Sequence, residues 1–471
     1  MLQTKELAFL DKKWAGFGLV CLLIAAFFSK GFHHFDEHFQ ILEFAAFKLG
    51  RLASTDLPWE FHAKMRPALQ PFLAFSTHRF LLLLNREDPF LVAFVLRLLT
   101  AVLSWLAFVL VLKTFAKEIP KKEYVWITLP LSFFFWLSIY NGVRFSSENW
   151  GGIFFALGLC LAYPPFENSR ARGFLSGVLL GVSFVSRFQM GFMILGLGMW
   201  LLALKKEKLS NLITLFLGFC AVLFLEWVLA HWLYGGWPVT FWNYFEQNLL
   251  QGRAVQFGIK PWYYYFTVLF LNLIPPFSLL FVVSVFAFFW FFPKHVLSFS
   301  LLPFLFFHLA MGHKESRFLF PLLYLFPVIV GLGVSVLSRK LPLPRGLFWG
   351  FGAINGALLL AILFLPADKD TELYEAIYRL NPERLIFSKH NPYQRADLDL
   401  EYYRRPKMEI LASSDSQVSN HAKPKTLIAS EDTLDNTAPE RILYRTAPLW
   451  VRHFNFNHWL ERTRLWVLFW Q

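Results

Sequence analysis

The residues best suited to chemistry are two adjacent carboxylates and three histidines in one short segment. The carboxylates are Asp36 and Glu37, and the histidines are His33, His34 and His38. A carboxylate can accept the proton of an attacking hydroxyl group. The segment follows the first long apolar run, and ionisable groups at the end of such a run indicate that something polar is handled there. A solvated loop that ends a helix is the alternative at this point.

The chain as a whole is too apolar for a soluble protein. Of its 471 residues, 56% are hydrophobic and 19% are aromatic, and the mean hydropathy is +0.45. These values are typical of a polytopic membrane protein. The net charge is +13, but residues 367–471 contain 15 basic and 15 acidic residues, so the excess lies in residues 1–366. In residues 1–366 the excess basic residues lie in short loops between apolar runs. This placement is typical of loops that set the orientation of a membrane protein, and not of a nucleic-acid-binding surface.

Eleven apolar runs are interpreted as membrane-spanning helices, since about 20 residues are needed to cross the hydrocarbon core. These runs are residues 15–31, 90–112, 124–141, 150–163, 173–187, 190–204, 210–231, 263–292, 296–312, 318–337 and 346–366. A further apolar stretch, residues 67–84, contains His78 and Arg79. If it lies along the outer interface, thirteen basic residues in later loops share one side with the N-terminus, as the positive-inside rule expects. We therefore predict an inside N-terminus and an outside loop 31–89.

The composition changes after residue 366. Residues 411–440 are polar and are interpreted as a flexible link. Strand-like runs occur at residues 426–429, 442–445 and 465–469. We predict a small α/β module outside the membrane, with its aromatic residues as its own core. The predicted domains are a transmembrane catalytic domain, residues 1–366, with 31–89 as its outer catalytic loop, and a C-terminal module, residues 367–471.

Several enzyme classes lack their signature in this sequence. There is no GxSxG nucleophile elbow, no GxxxxGK[ST] phosphate loop and no HExxH zinc helix. Cys21, Cys160 and Cys220 lie in apolar runs and are interpreted as packing residues. His33 and His34 are adjacent, so a helix would not direct both at one metal ion. We expect no metal and no cofactor. The absence of an Asn-x-Ser/Thr sequon indicates a bacterial membrane.

A carboxylate and several cations on the outer face fit a transferase that inverts the configuration of a sugar. Asp36 or Glu37 would take the proton from the acceptor hydroxyl group. Cations would hold the phosphate that leaves. The candidates for that role are Arg144, Arg187, His313, Lys314 and Arg317. A sugar donor carried on a polyprenyl phosphate would suit an apolar protein whose polar site lies at the membrane interface.

Five sequence blocks, in order, resemble those of the Alg9-like mannosyltransferases, which include the GPI-anchor enzymes and have the GT-C fold. His34 with Asp36-Glu37 resembles the His-x-Asp-Glu motif of this family. The other blocks are Pro58-Trp59-Glu60 with Arg66-Pro67, Arg144-Phe145-Ser146-Ser147-Glu148, Tyr234-Gly235-Gly236-Trp237 with Asn243-Tyr244-Phe245, and His313-Lys314-Glu315-Ser316-Arg317-Phe318-Leu319-Phe320-Pro321. The resemblance covers residues 15–340. The chain departs from the family pattern at Phe35, where the family has proline, and at His38.

The resemblance implies an enzyme that transfers mannose from a polyprenyl (dolichyl) phosphate carrier to a glycan or glycolipid, with inversion at the sugar carbon. It implies that Asp36 is the base, with Glu37 as second choice. The residues predicted to bind donor phosphate or substrate, from their chemistry and from the blocks together, are His34, Glu60, Arg66, Arg144, Glu148, Arg187, His313, Lys314 and Arg317. The expected partners are the lipid-linked donor, the acceptor and membrane lipids, with no nucleic acid. The expected location is a bacterial inner membrane with the site facing the periplasm; the alternative is the endoplasmic reticulum with a lumenal site.

Simpler roles stay open for several of these residues. Glu60 could cap an interfacial helix, and Arg144 and Glu148, four residues apart, could form an ordinary i,i+4 pair. Arg187 could carry its charge to the interface at the end of a span. At the level of function, the same fold could transfer another sugar to lipid A or another glycan. A lipid or sugar transporter would place ionisable residues in mid-span, where Glu226 is one of the few examples.

Overall fold

The computed structural model describes most of the chain. The described residues are 2–163, 169–340, 344–395, 397–413, 425–432, 442–455, 460 and 463–471. They form two compact units, each assembled from separate stretches of sequence. The first unit is residues 1–29, 63–73 and 94–365, and the second is residues 30–62, 74–93 and 366–471. The predicted link at 411–440 falls largely on residues 414–424 and 433–440, which lie outside the described residues.

The first unit is built from helices. Its α-helices are Leu2–Phe28, Lys121–Glu123, Leu129–Phe134, Trp136–Gly142, Ser147–Ala162, Arg170–Ser186, Met190–Met199, Leu209–Tyr234, Thr240–Phe245, Tyr264–Asn272, Phe277–Phe291, Val296–Ala310, Phe326–Lys340 and Arg345–Phe364. Helices Leu69–Leu83 and Pro89–Phe115 each contribute residues to both units. Short π-helices are Tyr124–Thr128, Trp200–Leu204 and Glu246–Leu250, and 3₁₀-helices are Arg253–Phe257 and Ser316–Tyr324.

Several helices are suited to a membrane. In the described part of the chain, four are long and apolar enough to cross one: Pro89–Phe115, Lys121–Gly142, Leu209–Tyr234 and Gly346–Phe364. Two bent helix pairs raise this number to six if each pair counts as one span. Other predicted runs fold as shorter helices, such as the 16-residue helix Ser147–Ala162. The structure therefore supports several apolar helices, and the number eleven stays a prediction.

Several of the predicted runs are not continuous helices; run 124–141, for example, is interrupted at Phe135. Within run 263–292, one helix ends at Asn272 and the next begins at Phe277. Pro275 and Pro276 lie in the gap, and proline both lacks an amide hydrogen and restricts the residue before it. Run 318–337 begins in a 3₁₀-helix, which contains Pro321 and is bent by 76° from the α-helix that follows.

The second unit combines short helices with a sheet. Its helices are Phe35–Glu37, the π-helix His38–Leu42, Glu43–Lys48, the 3₁₀-helix Ser54–Asp56, Trp59–His62, Asp370–Leu380 and the 3₁₀-helix Leu449–Phe454. Its strands are β1 (Arg384–Phe387), β2 (Gln394–Arg395), β3 (Leu398–Asp399), β4 (Glu409–Ala412), β5 (Thr426–Glu431), β6 (Tyr444–Arg445) and β7 (Trp466–Trp470). Five of them form one sheet in the order β4-β1-β5-β7-β6, and β2 pairs with β3.

The sheet is mixed, as expected for an α/β module. Strand β1 runs parallel to β4 and β5, and β7 runs antiparallel to β5, with Leu427 opposite Trp470. The predicted strands near 426–429 and 465–469 are confirmed, whereas run 442–445 contributes only two strand residues. Trp466 is buried, but Trp450 and Trp470 are exposed. The aromatic residues therefore supply only part of the module's core.

Candidate active site

Asp36 lies in a short helical turn, Phe35–Glu37, that the preceding residues hold in place. His34 is the N-cap of this turn, and its Nδ1 accepts the amide hydrogen of Asp36 at 3.2 Å. Glu37 Oε2 accepts the amide hydrogen of His33 at 3.2 Å. The side chain of Asp36 keeps 20% of its surface exposed. The backbone is thus fixed locally, while part of the Asp36 side chain stays exposed.

Glu60 lies in the same unit and contacts the same part of the chain. It is in the first turn of helix Trp59–His62 and is buried. Its Oε1 accepts a hydrogen bond from Gln40 Nε2 at 3.1 Å. Because Gln40 follows Asp36 by four residues, Glu60 supports the segment that carries the proposed base.

In the first unit, two arginines share one buried carboxylate. Glu148 Oε1 forms an ion pair with Arg187 Nη1 at 3.0 Å and accepts a hydrogen bond from Arg317 Nη1 at 2.8 Å. All three side chains are at most 7% exposed. The ring of Phe318 lies 4.9 Å from the Arg187 guanidinium and 5.4 Å from that of Arg317. Two cations are therefore held close together on an aromatic face, away from water.

Helix ends bring these three residues together. Ser146 caps helix Ser147–Ala162, so Glu148 lies in its first turn, where a negative charge is favoured. Arg187 is the C-cap of helix Arg170–Ser186. Gly152 lets the capped helix approach the 3₁₀-helix that carries Arg317, since a Cβ at Gly152 would lie 2.7 Å from Pro321 Cα.

A second carboxylate, Glu315, extends this group and was missed by the sequence analysis. Its Oε2 accepts from Arg317 Nε at 2.6 Å, and its Oε1 lies 2.9 Å from His313 Nε2. Glu315 stands inside the His-Lys-Glu-x-Arg block, which was the signal that could have identified it. We call Glu148, Arg187, His313, Glu315 and Arg317 the arginine cluster.

Lys314 lies between His313 and Glu315 in the sequence and is buried. Its Nζ donates to the carbonyl oxygen of Lys260 at 3.3 Å and to that of Met311. Burial lowers the pKa of Lys314. Its present contacts hold the backbone on either side of the block, and its charge adds to the positive potential of the region.

Arg66 and Arg144 have different surroundings. Arg144 Nη2 donates to the carbonyl oxygen and the hydroxyl oxygen of Ser29, both at 2.6 Å. Arg144 precedes the N-cap Ser146, so it and Glu148 are not an i,i+4 pair of one helix. The Arg66 guanidinium lies 5.6 Å from the ring centre of Tyr244.

The structure thus sorts the predicted residues into groups. Asp36, Glu37, His34 and Glu60 belong to the second unit, and the remaining candidates belong to the first. Glu148, Arg187 and Arg317 are joined by ion pairs, and Glu315 links His313 to Arg317; the other first-unit candidates make the separate contacts given above. Among the described residues, no group of three histidine, cysteine, aspartate or glutamate side chains could hold a metal ion.

Comparison with known proteins gives consistent sequence matches. A family profile described as the Alg9-like mannosyltransferase family matches residues 15–411. GPI alpha-1,2-mannosyltransferase 3 of Bos taurus is 25% identical over 321 residues, which cover 64% of this chain and 55% of the bovine protein. GPI mannosyltransferase 3 of Yarrowia lipolytica is 24% identical over 371 residues, covering 75% and 69% of the two chains. The chain therefore spans little more than half the length of its mammalian relative.

Solved structures share the architecture at low sequence identity. The crystal structure of ArnT from Cupriavidus metallidurans bound to undecaprenyl phosphate has a TM-score of 0.54 to this chain, with 11% identity. The match covers 99% of this chain and 98% of that one. At this identity the likeness concerns the fold alone.

Proposed function

Because this chain belongs to the Alg9-like mannosyltransferase family, as its five sequence blocks indicated, we propose that it transfers mannose from a polyprenyl-phosphate carrier to a glycolipid or glycan. The observation that carries the proposal is the arginine cluster. Guanidinium groups carry N–H donors in a planar geometry that matches the oxygens of a phosphate group, and here two of them share one carboxylate. Membership of the family supports sugar transfer as the reaction, and the arginine cluster supports binding of the donor phosphate in the first unit.

The donor class follows from the apolar character of the protein together with its structural neighbour. ArnT, which shares the fold, was crystallised with undecaprenyl phosphate. A carrier of this kind would dissolve its chain in the membrane and leave its phosphate at the level of polar side chains. Buried guanidiniums act more strongly on a phosphate than exposed ones, because water does not screen them.

In the proposed reaction, Asp36 acts as the general base. Its carboxylate takes the proton of the acceptor hydroxyl group while that oxygen bonds to the sugar carbon. The bond from this carbon to the phosphate oxygen breaks, and its electron pair leaves with the phosphate. Arg187 and Arg317 stabilise the charge that develops there. Attack opposite the leaving group inverts the sugar carbon, and no covalent enzyme intermediate is needed.

We place the reaction on the outer face of a bacterial inner membrane, with the endoplasmic reticulum lumen as the alternative. The distribution of lysine and arginine between the loops supports this orientation. A second candidate is transfer of a different sugar from the same carrier to lipid A or another glycan. The fold shared with the undecaprenyl-phosphate-bound ArnT supports this second candidate, because the chemistry at the phosphate would be the same for any sugar.

The test uses full-length protein purified in detergent, radiolabelled mannosyl-phosphopolyprenol and a lipid extract from the source cells. Wild type, Asp36→Asn and Glu37→Gln are compared side by side; Glu37→Gln tests the second-choice base and should lose less activity than Asp36→Asn. We expect label to move into a new glycolipid with wild type, and Asp36→Asn to lower kcat by about 10²- to 10⁴-fold, the usual range for a general base. Full activity of folded Asp36→Asn would exclude the assigned base. Transfer with another labelled sugar but not with mannose would establish the second candidate.

A further inference from the structure

We define residues 30–43 as the Asp36 segment. The first residue of this segment, Lys30, is held by the first residues of the C-terminal module. The carbonyl oxygen of Lys30 accepts the amide hydrogens of Ala367 at 2.8 Å and Asp368 at 3.1 Å. Lys30 Nζ also donates to Glu375 Oε2 at 2.7 Å. These contacts, and all others in this subsection, lie within the second unit.

Gly31 continues this close contact between backbones. Its φ is +84°, in the left-handed region that favours glycine. A Cβ at this position would lie 2.5 Å from Thr371 Oγ1 and 2.7 Å from Asp368 Cβ. The module therefore packs directly on the backbone of the segment, a few residues before Asp36.

Arg395 of the module contacts the aromatic residues that flank the segment's turn. Its guanidinium lies 5.9 Å from the ring centre of Phe32 and 5.7 Å from that of Phe35. Asp368, at 3.4 Å, and Asp370 hold the guanidinium in place. Phe35 immediately precedes Asp36, so Arg395 restrains the neighbour of the proposed base.

On the other side of Asp36, Glu43 ties the segment to the module. Its Oε1 accepts the amide hydrogens of Glu401 at 2.9 Å and Tyr402 at 3.0 Å. The same oxygen accepts from His38 Nε2 at 2.7 Å, and both side chains are almost completely buried. The ring of Tyr403 lies 5.2 Å from that of His38.

Phe35 and His38 are the two positions at which this chain departs from the family motif, and both contact the module. We infer that the C-terminal module positions the proposed base, with Arg395 and Glu43 as positioning residues that act through Phe35 and His38. The inference rests on the proposed function, because it gives the module a role in that reaction. The module completes the outer loop instead of forming an accessory domain.

The test compares Arg395→Ala, Arg395→Lys and Glu43→Ala in the full-length protein. We expect the two alanine variants to lower kcat by about 10- to 100-fold, the cost of a base misplaced by about 1 Å, with the KM for the lipid-linked donor unchanged. Arg395→Lys should recover part of this loss, because an ammonium group keeps the charge over the two rings. Arg384→Ala is the matched control, since it removes another arginine–carboxylate pair of the module, between β1 and β4 at 3.1 Å.

Hydrogen exchange supplies a readout that does not depend on activity. Amides of residues 30–43 should exchange faster in Arg395→Ala and Glu43→Ala than in wild type or Arg384→Ala. Active, folded Arg395→Ala and Glu43→Ala with unchanged kcat would overturn the positioning role alone. A wild type that transfers no sugar from any polyprenyl phosphate would overturn the proposed function, and the positioning role with it. If the variants instead raise the KM for the donor and leave kcat unchanged, these residues act in donor binding and not in positioning the base.

Discussion

The Asp36 segment and the arginine cluster handle charge in opposite ways. Asp36 keeps a fifth of its side-chain surface exposed, and its backbone amide donates to the His34 ring. Arg187 and Arg317 are almost buried and are held by direct ion pairs with Glu148. A group that must gain and lose a proton needs access, whereas a group that stabilises charge acts best out of water. The two regions should therefore fail in different ways when they are mutated.

The largest effect on stability is expected in the arginine cluster. Glu148→Gln leaves two buried guanidiniums without their shared carboxylate, and Arg317→Gln leaves Glu148 with one cation fewer. Removing one partner of a buried ion pair costs about 3–5 kcal/mol. The double variant should lose less than the sum of the two single losses, because it removes both partners. The free energy of unfolding, from titration with a denaturing detergent, measures each value.

An ion pair with one exposed partner shows what burial of both partners contributes. Arg384 pairs with Glu409 at 3.1 Å; the Arg384 side chain is 10% exposed and that of Glu409 is 48% exposed. Because Glu409 stays open to water, Arg384→Gln should cost less than either cluster variant. Additive losses for Glu148→Gln and Arg317→Gln would contradict the shared-carboxylate arrangement.

The Asp36 segment should instead be sensitive to backbone changes. Gly31→Ala places a methyl group against the module and strains a positive φ, and we expect it to lower the free energy of unfolding by about 1–3 kcal/mol from strain alone. Gly50→Ala is the control, because its φ is +74° but nothing lies within 4 Å of its Cβ position. The excess of the first loss over the second measures the packing of the module on the segment. Equal losses would show that this packing contributes nothing.

The effect confined to the narrowest range of conditions is a dependence of stability on pH at His78, which lies in the second unit. Burial, together with Arg51 and Arg79, lowers the pKa of His78 from 6.5 to about 4. Arg51 Nη2 donates to His78 Nε2 at 3.2 Å, so the folded state favours the neutral ring. Because the folded pKa is the lower one, this contribution is complete above pH 6.5 and is lost as the pH falls from 6.5 toward 4.

His78→Gln keeps an acceptor for Arg51 but does not titrate. Its unfolding free energy should change less between pH 6.5 and pH 4 than that of wild type. The comparison is made at matched detergent and salt. The same slope in both proteins would place the titrating group elsewhere.

Local sequence patterns predicted the parts of the site that are close in the chain. His313 and Arg317 lie within one block, so the block brings them to one place, together with Glu315, which was not identified. The start of the helix that carries Glu148 was predictable in principle, because Ser146 is a strong cap, but the predicted run began only at residue 150. The family resemblance was confirmed by the match over residues 15–411.

Partners that are distant in sequence left no local signal. Glu148 and Arg317 are 169 residues apart, and the spacing of Arg144 and Glu148 left an i,i+4 helix pair open, which the structure does not contain. Glu43 receives hydrogen bonds from backbone amides more than 350 residues later, and any residue type could supply such an amide. Helix breaks at proline were predictable in principle, but the apolar composition of residues 263–292 obscured them.

Binding of polyprenyl phosphate, without any sugar, tests the division between the two regions most directly. Wild type, Asp36→Asn and Arg317→Gln are titrated as purified proteins in the same detergent. We predict that Asp36→Asn binds as wild type does, and that Arg317→Gln binds at least about tenfold more weakly, a loss of about 1.4 kcal/mol. Wild-type affinity in folded Arg317→Gln, or an equal loss in Asp36→Asn, would contradict the assignment of the phosphate to the arginine cluster.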